Sequence, residues 1–586
     1  MTDARKSTPK TVRVIPDLPA VAKEFDYLVP DTWANNGVGE RLRIGSMVRT
    51  QLGNRSIGGW VSELDPDTDP TIELQPLRKV SSVGPSKEVV ELARWAAIRW
   101  HGPISRLLRT SSPSRMIKVV PPARPSKFVE MPKTKIVVDA YRSTPTVVRV
   151  PPTGDRWPFI LGAVSMGNAL ILLPSASEVL TVTSRLKRLG IHVGSYSKEW
   201  GVGPSSGTIV GNRSAAFATV KDLAAILMID EHDEAYQEQT SPTWHARAVL
   251  LERARRNEIP CVFVSPIPTP EIRHEAVTLS YPRDEEQKDW SKIQVTDPRK
   301  DGSAMGGLWP SSTVSDLRSA NRAVVILNRT GRSRLLACRA CEELAVCTDC
   351  GGAMHQPNEN SLECTRCSHI RPIVCSFCLS TSMKNLRLGV TRAVEELQAL
   401  LNEPVIEVTK ESDVIDFHKS RIFLGTEAAL HRIDWADLVL FADFDQELLA
   451  RRYRCEEQAM AQLILAQRLV SSHKRVAGKV IVQSRQPNHP LFGLIAAGDI
   501  ETWASVESKR RQLLEYPPYG HIALISGEGA EEFIKGLNGI TNLQILGPNE
   551  GAWLIRASNP EELAEALSKI QRPKARLRVA IDPCRF

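Results

Sequence analysis

Between residues 12 and 80, short apolar runs alternate with glycine and proline: VRVIPDL, FDYLVP, GSMVRTQLG and IGGWVSEL. Runs of this length, closed by turn residues at short intervals, predict the strands of a small β-rich domain. The pattern then changes period. In EVVELARWAAIRW, Val90, Ala93, Trp95, Ala97, Ile98 and Trp100 form one broad apolar helical face, which completes a first domain over residues 1–111. Residues 112–152 begin proline-rich and then hold two short β-like runs, KIVVDA and TVVRV, so they read as a connector or a reduced small domain. From 153 to 283, buried strand candidates (ALILLP, IHVGSYS, GTIVGN, AAILMID, IPCVFVS) alternate with helices such as SEVLTVTSRLKRLG. That alternation predicts a mostly parallel sheet. A second set follows over 284–485 with AVVILN, PVIEVT, RIFLGT, DLVLFAD and GKVIVQS, and a cysteine-rich insertion at 338–378 interrupts it. Residues 486–586 hold HIALISG, LQILGP, AWLIRA and the helix PEELAEALSKI, a small α+β domain. The fold class is therefore multidomain α/β, with a β-rich N-terminal domain.

Length agrees with that division, because 586 residues exceed one core and suggest about three to five units. One uncharged run, Trp157 to Pro174, approaches a membrane span in length. Pro158, Gly162, Gly167 and Asn168 interrupt it, so a buried strand with its flanks is expected and no membrane contact. The first ten residues, MTDARKSTPK, lack an apolar stretch, which leads to the expectation of a cytoplasmic protein. Charge is uneven. The first 150 residues carry 24 Lys/Arg against 15 Asp/Glu, which accounts for the whole net charge of +8. Between His101 and Lys135 lie Arg106, Arg109, Arg115, Lys118, Arg124, Lys127, Lys133 and Lys135 with a single acid, Glu130. The segment reads equally as a phosphate-binding stripe or as the solvated face of a linker. Trp60, Trp95 and Trp100 are expected to pack rather than to stack on bases.

Eight of the eleven cysteines form four Cys-x-x-Cys pairs: Cys338/Cys341, Cys347/Cys350, Cys364/Cys367 and Cys375/Cys378. Each pair points two thiolates at one centre, so four pairs predict two tetrahedral zinc sites. Disulfides are the competing reading, and the absence of a secretion signal weighs against them. The spacing leaves open whether neighbouring pairs combine or the outer pairs enclose the inner ones. His355 and His369 lie close by, but eight sulfurs already suffice, so both are expected at the surface. Cys261, Cys455 and Cys584 are isolated and read as small core residues.

Two α/β units in tandem call for a phosphate loop, Gly-x-x-x-x-Gly-Lys-Ser/Thr, whose amides, lysine and hydroxyl hold phosphates and Mg²⁺. None is present. At the expected place before the first helix the chain reads LGAVSMGNALI, and no lysine occurs from Pro151 through Leu186, leaving only a backbone cradle around Gly162 or Gly167. Asp230, Glu231 and His232 follow the apolar strand AAILMI, as an acidic box for Mg²⁺ would, at the strand end where α/β sites lie. Without the loop they read as a degenerate box.

Several stretches together resemble the primosomal replication-restart protein family, PriA, over nearly the whole length, in the reduced form, as in actinobacteria, that lacks helicase motifs. FDYLVP with its glycine-rich strands is similar to the family's N-terminal domain; GNRSAAF (Gly211–Phe217), IDEHDEAYQEQ, SPIPTP (Ser265–Pro270), GTEAAL (Gly425–Leu430), EYPPYG (Glu515–Gly520) and AIDPCRF resemble its later landmarks. The resemblance implies two RecA-like helicase lobes, 153–283 and 284–485, after an N-terminal domain that binds a DNA 3′ end and a reduced winged-helix-like region. It implies nested zinc sites, with Cys338, Cys341, Cys375 and Cys378 on one ion and Cys347, Cys350, Cys364 and Cys367 on the other. It also implies forked DNA, the replicative helicase with its loading factors, and single-stranded DNA-binding protein as partners. The departures concern the motor. The phosphate loop is missing, and the family's arginine motif is replaced by LAQRLVSSHKR, which offers Arg468 or Arg475 without the glycine context. The expected protein binds abandoned or stalled forks and helps reload the helicase without unwinding DNA itself. An active ATP-dependent 3′-to-5′ helicase with an unorthodox site, and a zinc-ribbon protein of RNA or transcription, are the alternatives.

Overall fold

The structure, a computed structural model, describes residues 9–585 except 22, 36, 70, 143–144, 289, 291–292, 301–307, 329–334, 359, 386–389, 410–411, 413–415, 417 and 472–477. The chain divides into two compact units. The first comprises residues 1–149, 155–280 and 507–584, and the second comprises 150–154, 281–506 and 585–586.

In the first unit, the N-terminal apolar runs pair as a five-stranded antiparallel sheet in the order Phe25–Leu28, Thr11–Pro16, Arg55–Leu64, Met47–Leu52, Lys79–Ser82. Gly59 lies where two strands approach closely: a Cβ there would meet a Val14 methyl at 2.5 Å and the Ile15 carbonyl oxygen at 2.7 Å. Beside it Trp60 is buried and its indole N–H donates to Ser112 Oγ at 2.8 Å, so this tryptophan packs, as expected. The helix Lys87–Arg99 begins at Ser86, whose hydroxyl accepts from the Val89 amide. Its buried residues Val89, Val90, Leu92, Ala93 and Ala96 join Trp100, Leu170, Met228, Phe263, Ala523, Phe533 and Val579 in one continuous core. The N-terminal helix, the parallel sheet and the C-terminal sheet therefore share their apolar interior.

The parallel sheet has seven strands in the order Val277–Ser280, Thr146–Arg149, Cys261–Ser265, Leu223–Ile229, Asn168–Leu172, Thr208–Gly211, Val193–Ser195. TVVRV thus belongs to this sheet, on strand Thr146–Arg149. KIVVDA does not form the expected strand: Lys135–Arg142 is a helix that buries Val137, Ala140 and Tyr141. Their spacing of three and one places them on one helical face, and this contact overrides the β-propensity of the Ile-Val-Val run. The uncharged stretch from Trp157 resolves into a helix, Trp157–Ser165, and a buried strand, Asn168–Leu172. No helix among the described residues is long and apolar enough to cross a membrane. The C-terminal sheet is antiparallel, in the order Gln544–Asn549, Ala552–Ala557, His521–Ser526, Arg578–Ile581.

The second unit is built on six parallel strands in the order Ile293–Thr296, Lys479–Gln483, Leu438–Phe441, Ala323–Ile326, Ile422–Gly425, Val405–Val408. The cysteine-rich segment enters between Ala323–Ile326 and Val405–Val408 and folds as two small antiparallel sheets of its own. The molecule is thus multidomain α/β, with two helicase-like lobes, one of them carrying the insertion.

Candidate metal centres and a saturated acidic box

The four Cys-x-x-Cys pairs adopt one local geometry four times. In each, the amide four residues after the first cysteine donates to that cysteine's carbonyl: Glu342 to Cys338, Gly351 to Cys347, Ser368 to Cys364 and Leu379 to Cys375, at 3.0–3.1 Å. In each, the first cysteine's amide donates to the carbonyl one residue further on, Glu343, Gly352, His369 or Ser380, at 2.8–2.9 Å. The closing residue takes a left-handed backbone every time: φ is 60° at Glu342, 68° at Gly351, 59° at Ser368 and 63° at Leu379. Only one of the four is glycine, so the turn holds three other side chains in a region that disfavours them.

Strand pairing decides which turns meet. Leu336–Cys338 runs antiparallel to Met383–Asn385, which brings the first and last turns together, while Met354–His355 pairs with Ser361–Cys364 and joins the inner two. The sulfurs of Cys338, Cys341, Cys375 and Cys378 lie within 4.8 Å of one another, and so do those of Cys347, Cys350, Cys364 and Cys367. The closer sulfur pairs are 3.4–3.6 Å apart, near the roughly 3.8 Å edge of a tetrahedron with metal–sulfur bonds of about 2.3 Å. Burial would raise the Cys338 thiol, but the Cys341 and Ala340 amides draw it down to about 6; the Cys367 and Arg366 amides draw Cys364 down to about 7 against the same cost. Burial pushes the neighbouring Cys341 and Cys350 thiols up to about 12, so the backbone amides favour one thiolate, the form a metal binds, in each cluster. His355 faces Glu363 and His369 faces Asp349, and neither joins a sulfur cluster. Two metal ions fit this donor set. Cys261, Cys455 and Cys584 are buried and join neither cluster.

Asp230, Glu231 and His232 stand at the carboxyl end of the strand Leu223–Ile229, and all three are buried. Each carries a protein partner. Asp230, at a left-handed φ of 56°, accepts from Arg156 at 2.6 Å, and Arg156 also approaches Glu178 at 3.5 Å. Glu231 receives Arg247 and the Thr269 hydroxyl on one oxygen and the Thr269 amide on the other. His232 Nδ1 meets Ser265 Oγ at 2.9 Å. The charge of Asp230 keeps the guanidinium of Arg156 raised above its ordinary range despite burial. The Arg156 guanidinium thus lies directly against the Asp230 carboxylate.

Arg156 was not among the residues singled out from the sequence. It is the N-cap residue of the helix Trp157–Ser165, which follows the strand Thr146–Arg149, so the strand-to-helix junction lies earlier than LGAVSMGNALI. Gly162, once a candidate for a phosphate cradle, sits inside that helix; a Cβ there would meet the Tyr141 ring at 2.5 Å. From Glu231 the charged network continues through Arg247 to Glu271, from Glu271 to Arg511 at 2.8 Å, and from Arg511 to Glu507 at 2.7 Å. In the closing AIDPCRF stretch, Asp582 accepts from the Ile522 amide and meets His521 and Arg99; loss of water would raise its pKa, but His521 and then Arg99 draw it down to about 2. Of the two arginines in LAQRLVSSHKR, Arg468 donates to the Pro152 carbonyl at 2.8 Å, and Arg475 lies outside the described residues.

Two parallel α/β sheets, one of them interrupted by a double four-cysteine insertion, give the chain a helicase-like fold. Residues 13–113 match the model of the 3′DNA-binding domain (3′BD) of PriA. The replication restart protein PriA of Bacillus subtilis is 25% identical over 65% of this chain and 54% of its own, and that of Haemophilus influenzae 26% over 64% and 59%. The chain thus spans little more than half the length of these relatives. The PriA of Rickettsia conorii is 23% identical over 92% of both chains. Among solved structures, Saccharomyces cerevisiae Dbp5 bound to RNA and ADP BeF3 aligns with 66% of this chain and 94% of its own, at 10% identity and a TM-score of 0.37. The chain is thus similar to the replication restart protein PriA family in its N-terminal domain and, with one relative, over 92% of its length.

Proposed function

We propose that this protein is a replication restart factor without a motor. It binds abandoned or stalled forks, holding the leading-strand 3′ end in the N-terminal domain, and promotes reloading of the replicative helicase. It works in the cytoplasm, with the helicase, its loading factors and single-stranded DNA-binding protein as partners. The observation that carries the non-motor reading is the Arg156–Asp230 ion pair, flanked by a Glu231 whose two oxygens are engaged by Arg247 and Thr269. Phosphoryl transfer needs Mg²⁺ beside such carboxylates and a lysine on the terminal phosphates. Here Arg156 takes the first place and no lysine stands in the segment from Pro151 through Leu186 for the second.

The eight cysteines hold two zinc ions, with Cys338, Cys341, Cys375 and Cys378 on one and Cys347, Cys350, Cys364 and Cys367 on the other. Zinc suits this set because four thiolates in tetrahedral array are its structural preference. When bound, each ion supplies a rigid cross-link between two turns and no chemistry, and the module offers a surface to partner proteins. Competition binding between forks with a free and with a blocked leading-strand 3′ end tests the fork role. The free end should win, by roughly tenfold or more if a terminal hydroxyl is read by buried polar groups. Equal binding, or a preference for RNA, would remove this reading.

A further inference from the structure

We infer that residues 113–134 form a preorganised strap that binds single-stranded DNA, with Arg115, Lys118, Arg124, Lys127 and Lys133 on its phosphates and Phe128 against a base. The chain leaves the helix Ile104–Ser111 and reaches the helix Lys135–Arg142 with no helix or strand between. It is tied down at separate points: the Val83 amide donates to the Ile117 carbonyl at 2.7 Å, the Ile117 amide to Ser82 Oγ at 2.9 Å, the His192 amide to Ser126 Oγ at 3.1 Å, and the Lys127 amide to the Gly190 carbonyl at 3.0 Å. The backbone is fixed while the side chains from Pro121 to Phe128 stay exposed.

The five basic residues fall at intervals of three or six, with Glu130 the one acid in the same register. Pro113, Pro121, Pro122, Pro125 and Pro132 bias the segment to polyproline II, which repeats every three residues with a rise of ~3.1 Å each. Residues in that register share one side, about 9 Å apart per turn. All five are exposed, and among the described residues none of them forms an ion pair. Phe128 is 77% exposed next to Lys127. A linker needs charge for solubility, but it has no use for a fixed cation ladder or for a phenyl ring held in water. Unpaired DNA uses both, because its phosphates attract the ladder and its bases stack on aromatic rings.

The proposal rests on the DNA-binding reading above for the choice of ligand, so its test uses a probe with no ends. Binding of circular single-stranded DNA is measured from low to moderate salt for the full chain and for the variant R115A/K118A/R124A/K127A/K133A. Each phosphate contact on a single strand contributes about 0.7 to the slope of log K against log salt, so loss of five contacts should lower the slope by about 3.5. A control removing the same charge elsewhere on the first unit, K87A/R142A/R255A/K535A/K569A, should keep the wild-type slope. F128A should lose roughly fivefold in affinity or more. Thermal melts verify that these surface variants stay folded. Unchanged slope and affinity in the strap variant, or an equal loss in the control, would overturn the proposal. Preference for a free 3′ end on forks is scored separately, so its absence removes the fork reading and leaves the circle result intact.

Discussion

Leu379 and Glu342 hold left-handed backbone in the cysteine turns without being glycine, whereas Gly351 holds it without strain. Leu379→Gly should therefore be neutral or stabilising in the zinc-loaded protein, and Gly351→Val should cost about 1–2 kcal/mol. Thermal melts with metal present check both, and a strongly destabilised L379G would refute the shared turn geometry. His101 offers a pH-dependent counterpart in the first unit. Desolvation, then the charge of Arg572, lowers it to about 4, and its ring packs against Phe533. The unfolded chain takes up this proton near pH 6.5 and the folded protein refuses it until about pH 4. Stability from His101 is thus complete above pH 6.5 and falls by about 3 kcal/mol as pH drops to 4. Urea melts across that range should show the fall, and His101→Asn, which tolerates the local φ of 42°, should flatten it. The acidic box marks where residue-level reading of the sequence stops. Asp230, Glu231 and His232 are conspicuous after an apolar strand, but the cation that neutralises Asp230 comes from Arg156, 74 positions away, and only the sheet brings the two together.

The cysteine module was legible to the extent that its order is local. Each turn is closed by hydrogen bonds within six residues, so four Cys-x-x-Cys spacings predict four turns. The pairing of those turns depends on strands such as Leu336–Cys338 and Met383–Asn385, which the spacing does not reveal. Most strands of both parallel sheets were also visible, because buried parallel strands read as continuous apolar runs, whereas the poorly buried edge strands Val277–Ser280 and Ile293–Thr296 were not. KIVVDA was misread for the same reason: six residues are too few to separate a buried helix turn from a strand. Nested pairing makes a prediction at the element scale. Replacing Cys347 and Cys350 by serine should release one zinc per chain and loosen the strands Met354–His355 and Ser361–Cys364, while the outer site keeps its ion. Metal analysis with limited proteolysis reads this directly. Loss of both ions would contradict two separable centres, and primosome assembly undiminished in the metal-depleted protein would contradict the module's partner role.

At the scale of the whole molecule, each unit carries a helicase-like parallel sheet, and in the first unit Asp230 and Glu231 are paired with Arg156 and Arg247. The first unit joins the N-terminal sheet, the first lobe and the C-terminal sheet through one core and through the chain of charges from Glu231 to Glu507. The proposed role without a motor accords with this arrangement, because each buried charge would lose its partner if the box opened, at about 3–5 kcal/mol. ATP turnover by the purified zinc-loaded protein, with Mg²⁺ and saturating forked DNA, tests this most directly. The account predicts no hydrolysis above the level of a D230A/E231A variant, with or without the fork. Fork-stimulated turnover that this double substitution abolishes would contradict it.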